Sequence, residues 1–259
     1  IILGAGGNDT LYGENGDDTL EGGTGNDSLT GGDGSDTYYF SAGDGKDVIY
    51  NSDASAGRVD RLVFREGIAP ENVRLSRNRI AYNGTDELIL TLVDSRGAIT
   101  GDEVRLSGYF TSYGGTSKVD RIEFANGTVW SIDAVKTALI TGNDLDQSLM
   151  GYELDDVIDG LGGADLLTGD LGNDQLFGGS GDDIIYGETG NDWLEGGSGD
   201  DTIYGDTRWG GFTPTAGNDV LRGDAGKDKL YGDGGNDDLE GGAGRDELYG
   251  GAGDDTYRF

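Results

Sequence analysis

Along two long stretches of the chain a large apolar residue returns at every ninth place, among glycines and acids that keep no apolar period of their own. The pattern is plainest from Gly178 to Asp206. Gly178, Gly179, Ser180, Gly181, Asp182, Asp183, Ile184, Ile185 and Tyr186 spell G-G-x-G-x-D-x-U-x, with U large and apolar, and the pattern restarts at Gly187 and Gly196. A fixed short period is a stronger guide to architecture than local propensity. The first six residues predict a tight turn, because glycine enters positive φ at little steric cost. The last three predict a very short strand with one inward side chain, which only stacking on neighbouring units can bury.

Four units follow one another from Gly4, Gly13, Gly22 and Gly31; their sixth residues are Asp9, Asp18, Asp27 and Asp36, and their eighth are Leu11, Leu20, Leu29 and Tyr38. A second series runs from Gly142 to Phe259. It opens poorly, with Gln147 in the first aspartate place and Leu154 in a glycine place, so weak cation binding is expected there. Its sixth positions are then Asp156, Asp165, Asp174, Asp183, Asp192, Asp201, Asp219, Asp228, Asp237, Asp246 and Asp255.

Extra residues, Thr207 to Thr215, interrupt this series. If two units make one coil, units two apart stack. Reading the insert as a loop aligns Tyr186, Tyr204, Tyr231 and Tyr249 in one column and Glu195, Arg222, Glu240 and Arg258 in the other. Reading it as a repeat scrambles both, and such cross-strand aromatic and opposite-charge pairs are favourable at about 4.8 Å spacing. A loop insertion at 207–215 is therefore expected.

From Phe40 to Thr141 the period lapses, and glycine falls to 11 of the 52 in the chain. Alternating and β-branched runs predict strands within Arg58 to Phe64, Glu87 to Asp94, Glu103 to Ser107 and Lys118 to Phe124. Asn126-Gly127 predicts a hairpin turn. Ser131 is placed to cap a helix from Ile132 to Ile140 with Ile132, Val135 and Leu139 on one face, and Pro70 to open a helical turn. The expected organisation is a first repeat block at 1–39, a mostly-β linker or capping domain at 40–141, and a second block at 142–259.

Charge sharpens this division. The chain carries 18 Lys plus Arg against 50 Asp plus Glu, a net of -32. The middle segment holds 12 basic and 14 acidic residues, so the repeats hold 6 against 36. Such a surface repels nucleic acid and anionic membranes and attracts multivalent cations. The absence of Cys and His excludes disulfides, zinc sites of the usual kind, and Ser-His or Cys-His nucleophile pairs. No apolar run has the length of a membrane span. Starting without Met and in mid-repeat, the chain reads as an excerpt from a longer one.

The nonapeptide resembles the calcium-binding repeat of RTX (repeats-in-toxin) exoproteins. The middle segment is similar to the haemolysin-type calcium-binding-related domain that joins repeat blocks in large RTX exoproteins. It carries Asp36-Thr37-Tyr38-Tyr39-Phe40, Gly43-Asp44-Gly45-Lys46-Asp47-Val48-Ile49, Gly67-Ile68-Ala69-Pro70-Glu71-Asn72-Val73 and Ile122-Glu123-Phe124-Ala125-Asn126-Gly127-Thr128. The resemblance implies an all-β chain: two right-handed parallel β-roll (β-helix) blocks joined by a mostly-β linker domain with a short terminal helix. It also implies Ca2+ held between one turn and the next on the same side by the sixth-position aspartate and turn carbonyls, pairing Asp9 with Asp27, Asp18 with Asp36, Asp174 with Asp192 and Asp183 with Asp201. Pairing every eligible turn gives roughly 11 ions, oxygen-ligated as calcium prefers. The D-x-D-x-D-G loop of an EF-hand is absent.

The implied function is a calcium-binding module of a secreted, extracellular bacterial protein, toxin-like or adhesin-like, that leaves by type I secretion and folds outside the cell. No catalytic activity is implied. Asp255-Thr256-Tyr257-Arg258-Phe259 restarts the Asp36 to Phe40 junction, so another linker is expected to follow. Alternatives are a Gly- and Asp-rich disordered linker, which has no reason to keep an apolar ninth residue, the structural tail of a secreted enzyme, and a glycan- or protein-binding module at 40–141. For the last, Tyr109, Phe110 and Tyr113 would be the platform, although such aromatics more often pack. The acid pairs Asp86-Glu87 and Asp102-Glu103 are expected on solvated turns or strand ends.

Overall fold

The architecture is that of a computed structural model, which describes residues 1–51, 57–80, 85–110, 119–206 and 217–258. The chain forms two compact units, Ile1–Leu139 and Ile140–Phe259. Each has facing sheets, and within the nonapeptide series their strands come alternately from successive units, so that a strand pairs in parallel with the one 18 residues on. The fold class is a parallel β-roll, mostly β with a short helix.

In the second unit an eight-stranded sheet includes Val157–Leu161, Gln175–Ser180, Trp193–Ser198, Val220–Gly226 and Asp238–Glu240, and a six-stranded sheet includes Leu166–Leu171, Ile184–Thr189, Thr202–Tyr204, Lys229–Tyr231 and Glu247–Tyr249. The eighth positions form the core: Ile158, Leu167, Leu176, Ile185, Leu194, Ile203, Leu221, Leu230 and Leu239 are all 0% exposed. One residue per unit suffices because each side chain is covered by those of the coils before and after it and of the opposite sheet. Residues 207–216, and with them the expected insertion, lie outside the described residues. The flanking register is 27 residues rather than 18: Tyr204 pairs with Tyr231 and Glu195 with Arg222.

The ninth positions form the outer columns. Tyr186, Tyr204, Tyr231 and Tyr249 stack with centroids 4.8, 4.8 and 5.0 Å apart and ring planes within 9°. On the other sheet Arg222 Nε lies 3.2 Å from Glu240, and the guanidinium lies over Trp193.

In the first unit the period ends at Phe40, but the sheets do not. Thr37–Phe40 pairs in parallel with Arg61–Phe64, which pairs with Arg121–Phe124; Ser28–Asp33 pairs with Lys46–Tyr50, which pairs with Ile99–Ser107. Only the outer strands turn antiparallel: Val73–Ile80 and Thr85–Val93 on one sheet, Val129–Ser131 on the other. Leu62, Leu88, Leu90, Val104 and Ile122, all 0% exposed, extend the core of Leu20, Leu29 and Tyr38. The hairpin turns at Asn126-Gly127, with Gly127 at φ 88°, and the helix spans Ile132–Ile140, Ser131 Oγ accepting the Ala134 amide at 3.2 Å. Pro70–Asn72 is a single 3-10 turn.

In the middle segment the aromatics pack, as the commoner behaviour of such residues predicts, while the acid pairs come out differently from the expectation of solvated positions. Tyr109 and Phe110 are buried at 1% and 5% and pack edge to face, so they form no open platform; Tyr113 lies outside the described residues. Asp86 is buried, held by Arg77 at 2.6 Å. Asp102 accepts the Gly43 and Gly45 amides at 3.0 and 3.2 Å, where a further coil would otherwise sit.

Candidate metal sites

Each nonapeptide turn places its sixth residue where the chain re-enters the sheet, and the 18-residue register sets those residues one above another. The result is a ladder. The backbone N–H of each sixth residue donates to Oδ1 of the aspartate one coil later: Asp9 to Asp27, Asp18 to Asp36, Asp156 to Asp174, Asp165 to Asp183, Asp174 to Asp192 and Asp183 to Asp201, all at 2.8 or 2.9 Å. The ladder crosses the insertion from Asp192 to Asp219 and from Asp201 to Asp228, and continues from Asp219 to Asp237, Asp228 to Asp246 and Asp237 to Asp255. At the degenerate start the Gln147 amide donates to Asp165.

Every aspartate singled out in the sequence thus lies in a ladder. Asp27, Asp36, Asp165, Asp174, Asp183, Asp192, Asp201, Asp219, Asp228 and Asp237 are at most 2% exposed, while Asp9, Asp18, Asp156, Asp246 and Asp255 are half-buried. Three members are absent from the sequence prediction, Asp47, Asp60 and Asp120, the last of which accepts the Asp60 amide at 2.8 Å. Asp47 accepts the Asp27 amide at 2.9 Å, and Asp60 accepts the Asp36 amide at 2.8 Å. The signal for Asp47 was present: Gly43-Asp44-Gly45-Lys46-Asp47-Val48-Ile49 keeps the pattern from its second glycine onward, with Ala42 in place of the first.

The second carboxylate oxygen is the unusual one. Oδ2 of Asp9, Asp27, Asp36, Asp47, Asp165, Asp174, Asp183, Asp192, Asp201, Asp219, Asp228 and Asp237 is buried without a hydrogen-bond partner. Leaving one ionised buried oxygen unpaired is costly, and a whole row more so. The surroundings say what is missing. A Cβ on Gly178 would collide with Asp183 Oδ2 and with the Gly196 carbonyl one coil on, and the same holds at Gly169, Gly187 and Gly232. The first glycine of each unit therefore keeps open a pocket where carboxylate and carbonyl oxygens meet. Gly181, at φ 126°, lies so near the Gly163 carbonyl that no Cβ fits.

Among the described residues no three Asp or Glu side chains converge as a metal-binding group. Each turn offers one carboxylate, and the remaining donors must come from the main chain. An all-oxygen set of this kind fits a hard cation, calcium better than magnesium, which demands stricter geometry.

Burial also raises the affinity of many of these carboxylates for protons. Burial pushes Asp219 up to about 8, Asp47, Asp174 and Asp201 up to about 7, and Asp36, Asp183, Asp192, Asp228 and Asp237 up to about 6. The amide bond to Oδ1 pulls each part of the way down, and neighbouring carboxylates raise it further.

The profile of the RTX calcium-binding nonapeptide repeat matches residues 3–38, 12–49, 141–176, 177–207, 215–239 and 231–258. The chain belongs to that family. Its repeats are accordingly calcium-binding repeats, and the second match takes in the unit of Asp47. The haemolysin-type calcium binding protein related domain matches residues 87–134. Over 125 residues, 48% of this chain, the RTX module is 41% identical to the iron-regulated protein FrpA of Neisseria meningitidis serogroup C, of whose length it spans 10%. A structural similarity to the extracellular lipase LipA of Serratia marcescens covers 85% of this chain and 31% of that one at 22% identity; its TM-score of 0.21 carries no argument about fold or activity. Among the described residues no helix is long and apolar enough to cross a membrane.

Proposed function

We propose that this RTX module is a calcium-triggered folding unit of an exported bacterial protein, with the sixth-position aspartates from Asp9 to Asp255, and Asp47 with them, as its ligands. The ladder of buried, unpartnered Oδ2 atoms carries the reading. A Ca2+ ion at each pocket would take one carboxylate oxygen and turn carbonyls, screening aspartates that otherwise repel. Roughly ten ions would be held, mostly in the second unit.

Binding to the folded state alone ties stability to free calcium, and extracellular sites are commonly tuned to about 0.1 to 1 mM. At cytosolic calcium the repeats stay unfolded, as type I secretion requires; outside the cell they fold. The protein from which the module comes is toxin-like or adhesin-like, and the module itself is structural rather than catalytic. Far-ultraviolet circular dichroism tests the reading: β-structure should rise on adding calcium to chelated protein and not on adding equal magnesium. A spectrum indifferent to calcium would overturn it.

A further inference from the structure

One ladder of the first unit ends in a way the repeats do not. Asp60 accepts the Asp36 amide with Oδ1 like any repeat aspartate, but its Oδ2 is met by Asn51 Nδ2 at 2.6 Å and by the guanidinium of Arg58. The same Arg58 Nη1 lies 3.2 Å from Asp120 Oδ2, which also accepts the Asp60 amide at 2.8 Å. The side chains of Arg58 and Asp60 are 9% and 0% exposed. Asn51 Oδ1 accepts the Tyr38 hydroxyl at 3.0 Å, and that hydroxyl accepts the Gly31 amide at 2.9 Å, so the network reaches the first glycine of the Asp36 turn.

The sequence brings these groups together by a second repetition. Val59-Asp60-Arg61-Leu62-Val63-Phe64 returns as Val119-Asp120-Arg121-Ile122-Glu123-Phe124, and the two strands pair in parallel with Leu62 beside Ile122. Arg58 stands two residues before its aspartate, where the repeats have glycine. In the Asp36 turn that glycine is Gly34, and a Cβ on it would collide with the Gly16 carbonyl. At Arg58, therefore, a charged side chain stands where the repeat turns keep glycine.

We propose that Arg58 is a resident cation. Its guanidinium takes, between Asp60 and Asp120, the place that calcium takes between the repeat aspartates, so this end of the ladder closes without metal. A guanidinium suits the place because it stays charged at any working pH and here one nitrogen, Nη1, meets both carboxylates. The consequence is a calcium-independent platform, strands Arg61–Phe64 and Arg121–Phe124, next to the calcium-dependent coil of Asp36. The inference rests on the calcium reading of the repeats.

Hydrogen exchange of the full chain in chelator tests it. Amides of 61–64 and 121–124 should exchange slowly in the wild type while those of 175–180 exchange freely. Arg58→Met should speed exchange at 61–64 and 121–124 on the order of 100-fold, as expected when one partner of a buried ion pair is removed. Either millimolar calcium or the second change Asp60→Asn should restore protection, since each relieves the same uncompensated charge. Unchanged protection in Arg58→Met, failure of both rescues, or free exchange of these strands in the wild type would overturn the proposal. Slow exchange of 175–180 in chelator would instead count against the calcium reading, leaving the two variants to decide the arginine's role.

Discussion

At the scale of the residue, a repeat aspartate does two things with two oxygens. Oδ1 of Asp192 holds the Asp174 amide, while Oδ2 is buried and turned toward a carbonyl pocket. Asp192→Asn keeps an acceptor for the amide and removes the charge. It should leave the calcium-loaded fold intact while weakening the affected site on the order of tenfold, as for a charge-assisted contact of about 1.5–3 kcal/mol. A dichroism-monitored calcium titration would show the midpoint moving up.

Protons and calcium compete for the same oxygens, and the sign follows from the raised values. A carboxylate lifted above its unfolded pKa contributes stability that is full below the unfolded value, about 3.9, and is lost as pH rises through the folded one, here about 6 to 8. In chelator the roll should therefore gain structure as pH falls from 8 toward 4. With calcium present the midpoint should rise over the same interval. Dichroism titrations at several pH values check both.

At the scale of the element, the nonapeptide was legible because three demands fall on fixed places: an open first position, a left-handed second and fourth, and an inward eighth. Even where the second residue is not glycine it keeps positive φ, as at Leu161, Asp170, Glu188 and Asp233. At the fourth position the constraint is steric as well, so Gly181→Ala should cost roughly 2 kcal/mol or more. Thermal unfolding of the calcium-loaded protein would show it.

What the sequence concealed has equally local causes. Asp47 was hidden by two extra residues, Phe40 and Ser41, that shift its unit off the period, and by Ala42 in place of the first glycine. Asp60 was hidden by Arg58, which stands where the repeats have glycine and reaches Asp60 and Asp120. The strand Val73–Ile80 went unread because Arg77 takes an inward place after Val73 and Leu75, where it pairs with Asp86 and lies over the Phe110 ring. Where pattern and chemistry coincide, the fold shows in the letters; where a long-range partner supplies the chemistry, it does not.

At the scale of the whole molecule, charge and fold are divided alike. The repeats hold nearly all the unbalanced negative charge, and the segment from Phe40 to Thr141 is close to neutral. That segment extends both sheets of the first roll and adds Leu62, Leu88, Leu90, Val104 and Ile122 to its apolar core. Residues 140–259 alone should respond most sharply. Their radius of gyration by small-angle scattering should fall from about 35 Å in chelator to below about 20 Å in calcium, from the size laws for unfolded and compact chains. A value unmoved by calcium would contradict a metal-driven collapse.

The carboxylate ladder also has a direction. Each aspartate clasps the amide of the coil behind it and leaves its own to the coil ahead, as overlapping roof tiles pin the row beneath. Injury at one tile must then travel backwards: stripping the side chain of Asp192 frees the Asp174 amide, whereas the Asp219 carboxylate still has the Asp192 amide to hold.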